Sequence, residues 1–306
     1  MRPISILGVT TDFGANRRGV DMGPSAIRYG GLFDALDDAG VEWTDVGNLH
    51  TPRTATAGTR EPIGETDQPI RHREETAEVC SRLSARVDEI ITSGQTPLVL
   101  GGDHSLAMGT LVGTHKVGPI GALWFDAHAD FNTPETSPSG NIHGMPLASV
   151  LGYGSLGDEP WAHAPHLDED RVVLVGLRDV DESETDHLEA SGVTVYTMTD
   201  IDRRGVGPVV MDAIDIATGG GDGDVHLSLD MDWLDPNEAP GVGTPVRGGV
   251  SYREAHTAME YLAEQLPTAS IRSMEIVEVN PILDQSNETG KLACELAASA
   301  FGKTVV

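Results

Sequence analysis

The chain has 306 residues with 39% hydrophobic content, enough for a sizeable core, and 48 acidic side chains against 20 basic ones give a formal net charge of -28. Lysine occurs only at positions 116, 291 and 303, so nucleic acid and anionic membranes are excluded as natural partners. The acidic runs, Asp34 to Asp38 and Asp179 to Asp186 among them, are spread along the chain as on a solvated surface. Self-repulsion at this charge predicts a halophilic protein that needs molar salt.

No apolar stretch approaches the length of a membrane span, and Met1 to Leu7 is too short for a signal peptide, so the expected location is cytoplasmic. Cys80 and Cys294 fall in helix-like segments and read as two small buried thiols rather than a disulfide. No Pro/Ser-rich linker divides the chain, which predicts one domain over residues 1–306.

In chain order, Ile4 to Val9 reads as a strand and Thr10 to Pro24 as a loop at its carboxyl end. Ser25 is the expected N-cap of a helix from Ala26 to about Asp38, ended by Gly40. Val41 to Val46 reads as a second strand, and His50 to Gln68, rich in Thr, Gly and Pro, as a surface loop. Arg73 to Ser93 carries Val79, Leu83, Val87 and Ile90 at helical spacing. Strands then alternate with helices: Thr96 to Leu100, a helix Ser105 to His115, Ile120 to Phe125, and a short helix from Pro146. Further strands are expected at Arg171 to Gly176, Val193 to Thr197, Val225 to Asp230 and Ile271 to Val277. Their helices lie near Asp181 to Ala190, Val206 to Ala217, Tyr252 to Leu266 and Asn287 to Phe301. This alternation predicts an α/β fold with a parallel sheet of about eight strands, covered by helices on both faces. Gly219 to Gly223 precedes a strand and lacks the context of a phosphate loop, so it reads as a surface turn.

Three strand exits carry the chemistry. Gly101-Gly102-Asp103-His104-Ser105 follows Leu98 to Leu100, Asp126-Ala127-His128-Ala129-Asp130 follows Ile120 to Phe125, and Asp230-Met231-Asp232 ends Val225 to Leu229. Open α/β sheets place their ligands at such exits. If the extended conformation persists past Phe125, Asp126, His128 and Asp130 point the same way. A single D-x-H-x-D is equally a hydrogen-bonded turn; the two companion stretches favour a metal centre. His104, Asp126, His128, Asp130, Asp230 and Asp232 make four carboxylates and two imidazoles, and four clustered carboxylates cannot all stay ionised without cations. The set fits two divalent ions, and its oxygen-rich donors suit Mn²⁺ better than Zn²⁺. Two ions about 3.5–4 Å apart make metal-assisted hydrolysis the default chemistry.

These three motifs resemble the signatures of the ureohydrolases, the arginase and agmatinase family, and the likeness extends from Gly8 through Arg18 to Pro24 and on to Glu278-Val279-Asn280-Pro281. The resemblance implies a single α/β domain with an eight-stranded parallel sheet and two Mn²⁺ per subunit. His104, Asp126, Asp130 and Asp230 would hold one ion; Asp126, His128, Asp230 and Asp232 would hold the other, with Asp126 and Asp230 bridging. The loop Asn132 to Gly144 is similar to the arginase pattern, which implies Asn132, Ser137 and Ser139, with Asn141, at a substrate α-carboxylate. Neutral donors suit that task in an acidic pocket. Gly176 to Glu184 implies Asp181 and Glu184 near the α-amino group, although Glu182-Ser183 stands where many arginases carry Pro-Gly.

The implied reaction is attack of a bridging hydroxide on the guanidinium carbon of L-arginine, giving L-ornithine and urea. Asp130 would accept a hydrogen bond from that hydroxide, His143 would relay a proton to the leaving amine, Glu278 would orient the guanidinium and Thr244 would line the pocket. The alternatives are hydrolysis of agmatine, guanidinobutyrate or formiminoglutamate, and an inactive binding subunit. The family also implies a homotrimer or homohexamer. His50, His72, His115, His163, His166, His187 and His256 read as surface or capping residues; His226, in phase with Ser228 and Asp230, is either packed in the core or bonded to a ligand residue.

Overall fold

The structure, a computed structural model, describes residues 2–15, 17–52, 70–266 and 270–305. Its eight strands are β1 (Ile4–Gly8), β2 (Trp43–Asn48), β3 (Thr96–Leu100), β4 (Ile120–Phe125), β5 (Leu167–Leu177), β6 (Thr194–Thr197), β7 (Val225–Asp230) and β8 (Ile271–Val277). They form one all-parallel sheet in the order β2-β1-β3-β8-β7-β4-β5-β6. The last two strands enter the space between β3 and β4, so exits that are far apart in sequence become neighbours on the four central strands.

Both faces are covered, as the near-continuous apolar runs require. Alternate residues of β4 illustrate the period of two. Leu123 and Phe125 join the core under α1 (Gly23–Tyr29), α2 (Leu32–Asp38), α7 (Met198–Arg204), α8 (Val206–Thr218), α9 (Tyr252–Gln265) and α10 (Glu288–Ala300). Ala122 and Trp124 face the opposite layer, where α3 (Arg73–Thr92), α4 (Ala107–Thr114), α5 (Pro146–Val150) and α6 (Glu182–Ala190) bring Cys80, Met108, Leu147 and Leu188. Cys80 and Cys294 are buried and free, as expected. No helix among the described residues is long and apolar enough to cross a membrane.

Three local expectations are corrected. The helix expected from Ala26 to Asp38 is two helices: the first starts at Gly23 with Met22 as N-cap, not Ser25, and the chain breaks at Gly31, whose φ of 107° only glycine adopts readily. His256 is neither surface nor cap. It is completely buried, with Nδ1 2.9 Å from the Ser299 hydroxyl and its ring against Tyr252. Asp126, His128 and Asp130 do not continue a strand, because β4 ends at Phe125. Of the loop expected at 50–68, residues 53–68 lie outside the described residues. Gly219 and Gly220 do form a turn, both with positive φ.

Candidate functional site

Backbone turns at the carboxyl ends of β3, β4, β7 and β8 aim the polar residues into one cleft. After β3, a Cβ on Gly102 would lie 1.8 Å from the Thr11 carbonyl oxygen, so glycine alone allows the turn that presents His104. Asp103 caps the short 3-10 helix His104–Leu106 by accepting from the Ser105 amide. After β4, the Asp126 carboxylate accepts from the His128 amide at 2.7 Å, an Asx-type turn. Asp130 then takes a left-handed conformation with φ 51°, and Glu278 does the same after β8 with φ 63°. Non-glycine residues persist in that region where their surroundings fix them, and functional clefts are where such residues cluster. The three motif side chains of Asp126, His128 and Asp130 thus converge through a turn.

Two groups could each hold a metal ion: His104 with Asp126 and Asp230, and His128 with Asp126 and Asp232. His104 Nδ1 lies 2.9 Å from Asp130, 3.2 Å from Asp126 and 3.2 Å from Asp230, carboxylate oxygens in each case. His128 Nδ1 lies 3.2 Å from Asp232 Oδ2 and 3.5 Å from Asp126 Oδ1. A buried ring nitrogen with three carboxylate oxygens within 3.2 Å of it makes a donor set that fits a cation.

The electrostatics agree. Burial, then repulsion from Asp232 and Asp126, pushes the Asp230 carboxyl well above its usual range. Burial and Asp126 push Asp130 up to about 6. Burial alone would depress His104, but the surrounding carboxylates of Asp130, Asp126 and Asp230 hold it well above its usual value. Asp126 stays ionised against burial because His104 and His128 flank it, and the Trp124 indole N–H donates to it at 3.1 Å.

Around this centre, every residue expected in the site except Asp126 lines one cleft. Glu278 Oε1 accepts from the His104 amide at 2.9 Å and sits 3.1 Å from His143 Nδ1, while Oε2 has no hydrogen-bond partner. Burial opposes charging His143, but the Glu278 carboxylate beside it raises its pKa.

The loop residues share a pattern. Ser137 Oγ accepts from the Gly140 amide at 3.0 Å, and Ser139 Oγ from the Asn141 amide at 3.2 Å. The Asn132 carbonyl oxygen accepts from Thr136 Oγ1 at 3.1 Å and the Asn141 one from Arg71 at 3.3 Å. Their acceptor sides are engaged within the protein, leaving hydroxyl and amide hydrogens for the cleft. Asn132 spends one N–H on Asp181 Oδ2 at 2.8 Å.

Glu184 is tied twice to the backbone, accepting from the Phe131 amide at 3.0 Å and the Asp181 amide at 2.9 Å; burial pushes its carboxyl up to about 7. Thr244 Oγ1 donates to Asp232 at 2.9 Å. Sequence reasoning left Trp124, Thr136, Ser228 and Glu275 without roles. The signal for Ser228 was its phase with Asp230; for Glu275 it was a carboxylate inside the apolar run of β8.

An α/β fold with a polar cleft at its central strand exits, lined by carboxylates and imidazoles that could hold metal ions, defines a metal-dependent enzyme class. The family model described as "Arginase family" matches residues 2–302. The arginase of Bacillus caldovelox is 47% identical over 309 residues, covering all of both chains. That of Bacillus subtilis strain 168 is 48% identical over 308 residues, covering 100% of this chain and 99% of the relative. The native Bacillus caldovelox arginase structure at pH 5.6 superposes with a TM-score of 0.90 at 46% identity, covering both chains completely. The chain belongs to the arginase family.

Proposed function

We propose that this chain hydrolyses the guanidinium group of L-arginine to L-ornithine and urea, with two Mn²⁺ ions per subunit. His104, Asp126, Asp130 and Asp230 would hold one ion, and Asp126, His128, Asp230 and Asp232 the other. The oxygen-rich donor set favours manganese, and the three carboxylate oxygens within 3.2 Å of buried His104 Nδ1 support cation binding. Divalent cations bound there would lower the pKa of water toward neutrality and so supply the nucleophile.

The observation that carries L-arginine over agmatine is the donor-rich loop. Ser137, Ser139, Asn132 and Asn141 line the cleft with their oxygens already accepting bonds from the protein, so their hydroxyl and amide hydrogens remain available to an α-carboxylate, which agmatine lacks. A substrate without it would leave donors unpaired, at about 1–3 kcal/mol for each buried group. Asp181 is proposed to meet the α-amino group, with Glu184 bracing it from behind through the backbone bonds already described.

At the other end, the unpartnered Oε2 of Glu278 is an acceptor for the guanidinium and would orient its carbon. Asp130 would accept the nucleophile's hydrogen. Since Glu278 raises the pKa of His143, the imidazolium would persist near neutrality and could give its proton to the leaving amine. The reading extends to a homotrimer or homohexamer in the cytoplasm of a salt-adapted source, supported by the acidic excess and by family membership. Equilibrium dialysis against Mn²⁺ tests it: two ions per subunit are expected, with urea release from L-arginine lost in chelator and restored on reloading. Full activity at no bound metal would overturn it.

A further inference from the structure

Behind His104, away from the cleft, lies a buried polar chain that the reaction does not use. His104 Nε2 is 2.8 Å from Ser228 Oγ, and Ser228 Oγ donates to Glu275 Oε1 at 2.9 Å. His226 Nε2 is 3.4 Å from the same Glu275 oxygen, and its Nδ1 is 2.8 Å from Ser273 Oγ. Ser273 in turn meets Thr114 Oγ1 of α4 at 2.9 Å. Ser228, Glu275, His226, Ser273 and Thr114 are all completely buried. Sheet register explains the alignment: Ser228 on β7 stands opposite Glu275 on β8, and His226 opposite Ser273.

We propose that Glu275 is a positioning residue that fixes the tautomer of His104 and thereby tunes cation affinity. This rests on the proposed role of His104 as a metal ligand. A serine hydroxyl has a single hydrogen, and that of Ser228 is donated to Glu275 Oε1 at 2.9 Å. Glu275 takes that hydrogen, so Ser228 can only accept from His104. The imidazole proton of His104 therefore sits on Nε2, and Nδ1 presents its lone pair toward Asp126, Asp130 and Asp230. Without an acceptor at position 275, the Ser228 hydrogen is released to bond Nε2, and the tautomer with its proton on Nδ1, which cannot ligate, gains ground. With every member at zero exposure, no solvent replaces the missing acceptor. Groups of this kind behind a ligating histidine set its orientation and basicity.

The test is Mn²⁺ affinity, measured by competition with a chromophoric chelator, for the parent protein and for Glu275→Leu, Glu275→Gln and Ser228→Ala. Glu275→Leu and Ser228→Ala are expected to weaken binding about 10–100-fold. Glu275→Gln, whose amide oxygen still accepts from Ser228, is expected to stay near the parent. Melting in chelator separates a general packing loss from a loss of affinity. If Glu275→Leu does not fold, Ser228→Ala decides, because it leaves the Glu275–His226 contact in place. Parent-like affinity in Ser228→Ala, or equal losses in the Gln and Leu variants, would overturn the inference. A parent protein with no Mn²⁺ affinity would overturn the metal-enzyme reading itself.

Discussion

Replacing Ser137 by alanine removes one hydroxyl from the loop and nothing from the metal centre. Its oxygen already accepts from the Gly140 amide at 3.0 Å, so what the cleft loses is the O–H hydrogen. A hydrogen bond to a charged group contributes about 1.5–3 kcal/mol, and about 1.4 kcal/mol is a factor of ten. KM for L-arginine is therefore expected to rise roughly 10- to 100-fold with little change in kcat, the pattern of lost uniform binding. Agmatine is the internal control. It lacks the α-carboxylate, so its weak turnover is expected to be unchanged in Ser137→Ala, whereas a distorted loop would damage both reactions. Steady-state urea assays with both substrates read this directly. Equal losses on both, or none on L-arginine, would refute the carboxylate role of the loop.

His143→Asn is expected to lower kcat by about 10²–10⁴, the usual span for a lost general acid, while Mn²⁺ content stays at the parent value; unchanged kcat would remove His143 from the reaction. In chelator, the protein should be more stable near pH 5.5 than near pH 8, as measured by chemical denaturation. The folded pKa of Asp130, about 6, and the raised value of Asp230 exceed their usual 3.8, so the folded state holds these protons more tightly. Their contribution is complete below the unfolded value and is lost as pH rises through the folded one. The raised His104 and His143 add in the same direction, with the loss falling above 6.5. Saturation with Mn²⁺ should shrink the difference, and equal stability at both pH values in chelator would contradict the charge picture. With a net charge of -28, the melting temperature should climb as ionic strength shortens the screening length from about 10 Å at 0.1 M to about 3 Å at 1 M. A melting temperature indifferent to salt would remove the halophilic assignment.

Much of this was legible because periodicity and strand exits are local signals. The central strands β3, β4, β7 and β8 announce themselves as short runs rich in apolar residues, and the ligand types sit where those runs stop, whereas the edge strands β2 and β6 are mixed and polar. Other features depend on what only folding brings together. The conformation of Asp130 could not be read from alternation, since the Asp126 carboxylate bends the chain before a strand can continue. The break at Gly31 did have a signal, the Gly30-Gly31 pair, but the apolar spacing on either side of it suggests one continuous helix. His256 looked like a surface residue until Ser299, 43 positions away, supplied its partner. Glu275 matters only through Ser228, 47 positions away, a pairing that exists once β7 and β8 share a register. Glu184 could be singled out from the sequence, whereas the engagement of both its oxygens by backbone amides could not.

The ratio of kcat/KM for L-arginine to that for agmatine, taken on Mn²⁺-loaded protein in molar salt beside a chelated sample, tests the central claim most directly. The account predicts a strong preference for L-arginine and no urea from either compound in chelator. Preference for agmatine would keep the metal chemistry and contradict the assignment of Asn132, Ser137, Ser139 and Asp181; undiminished urea release in chelator would contradict the metal centre itself.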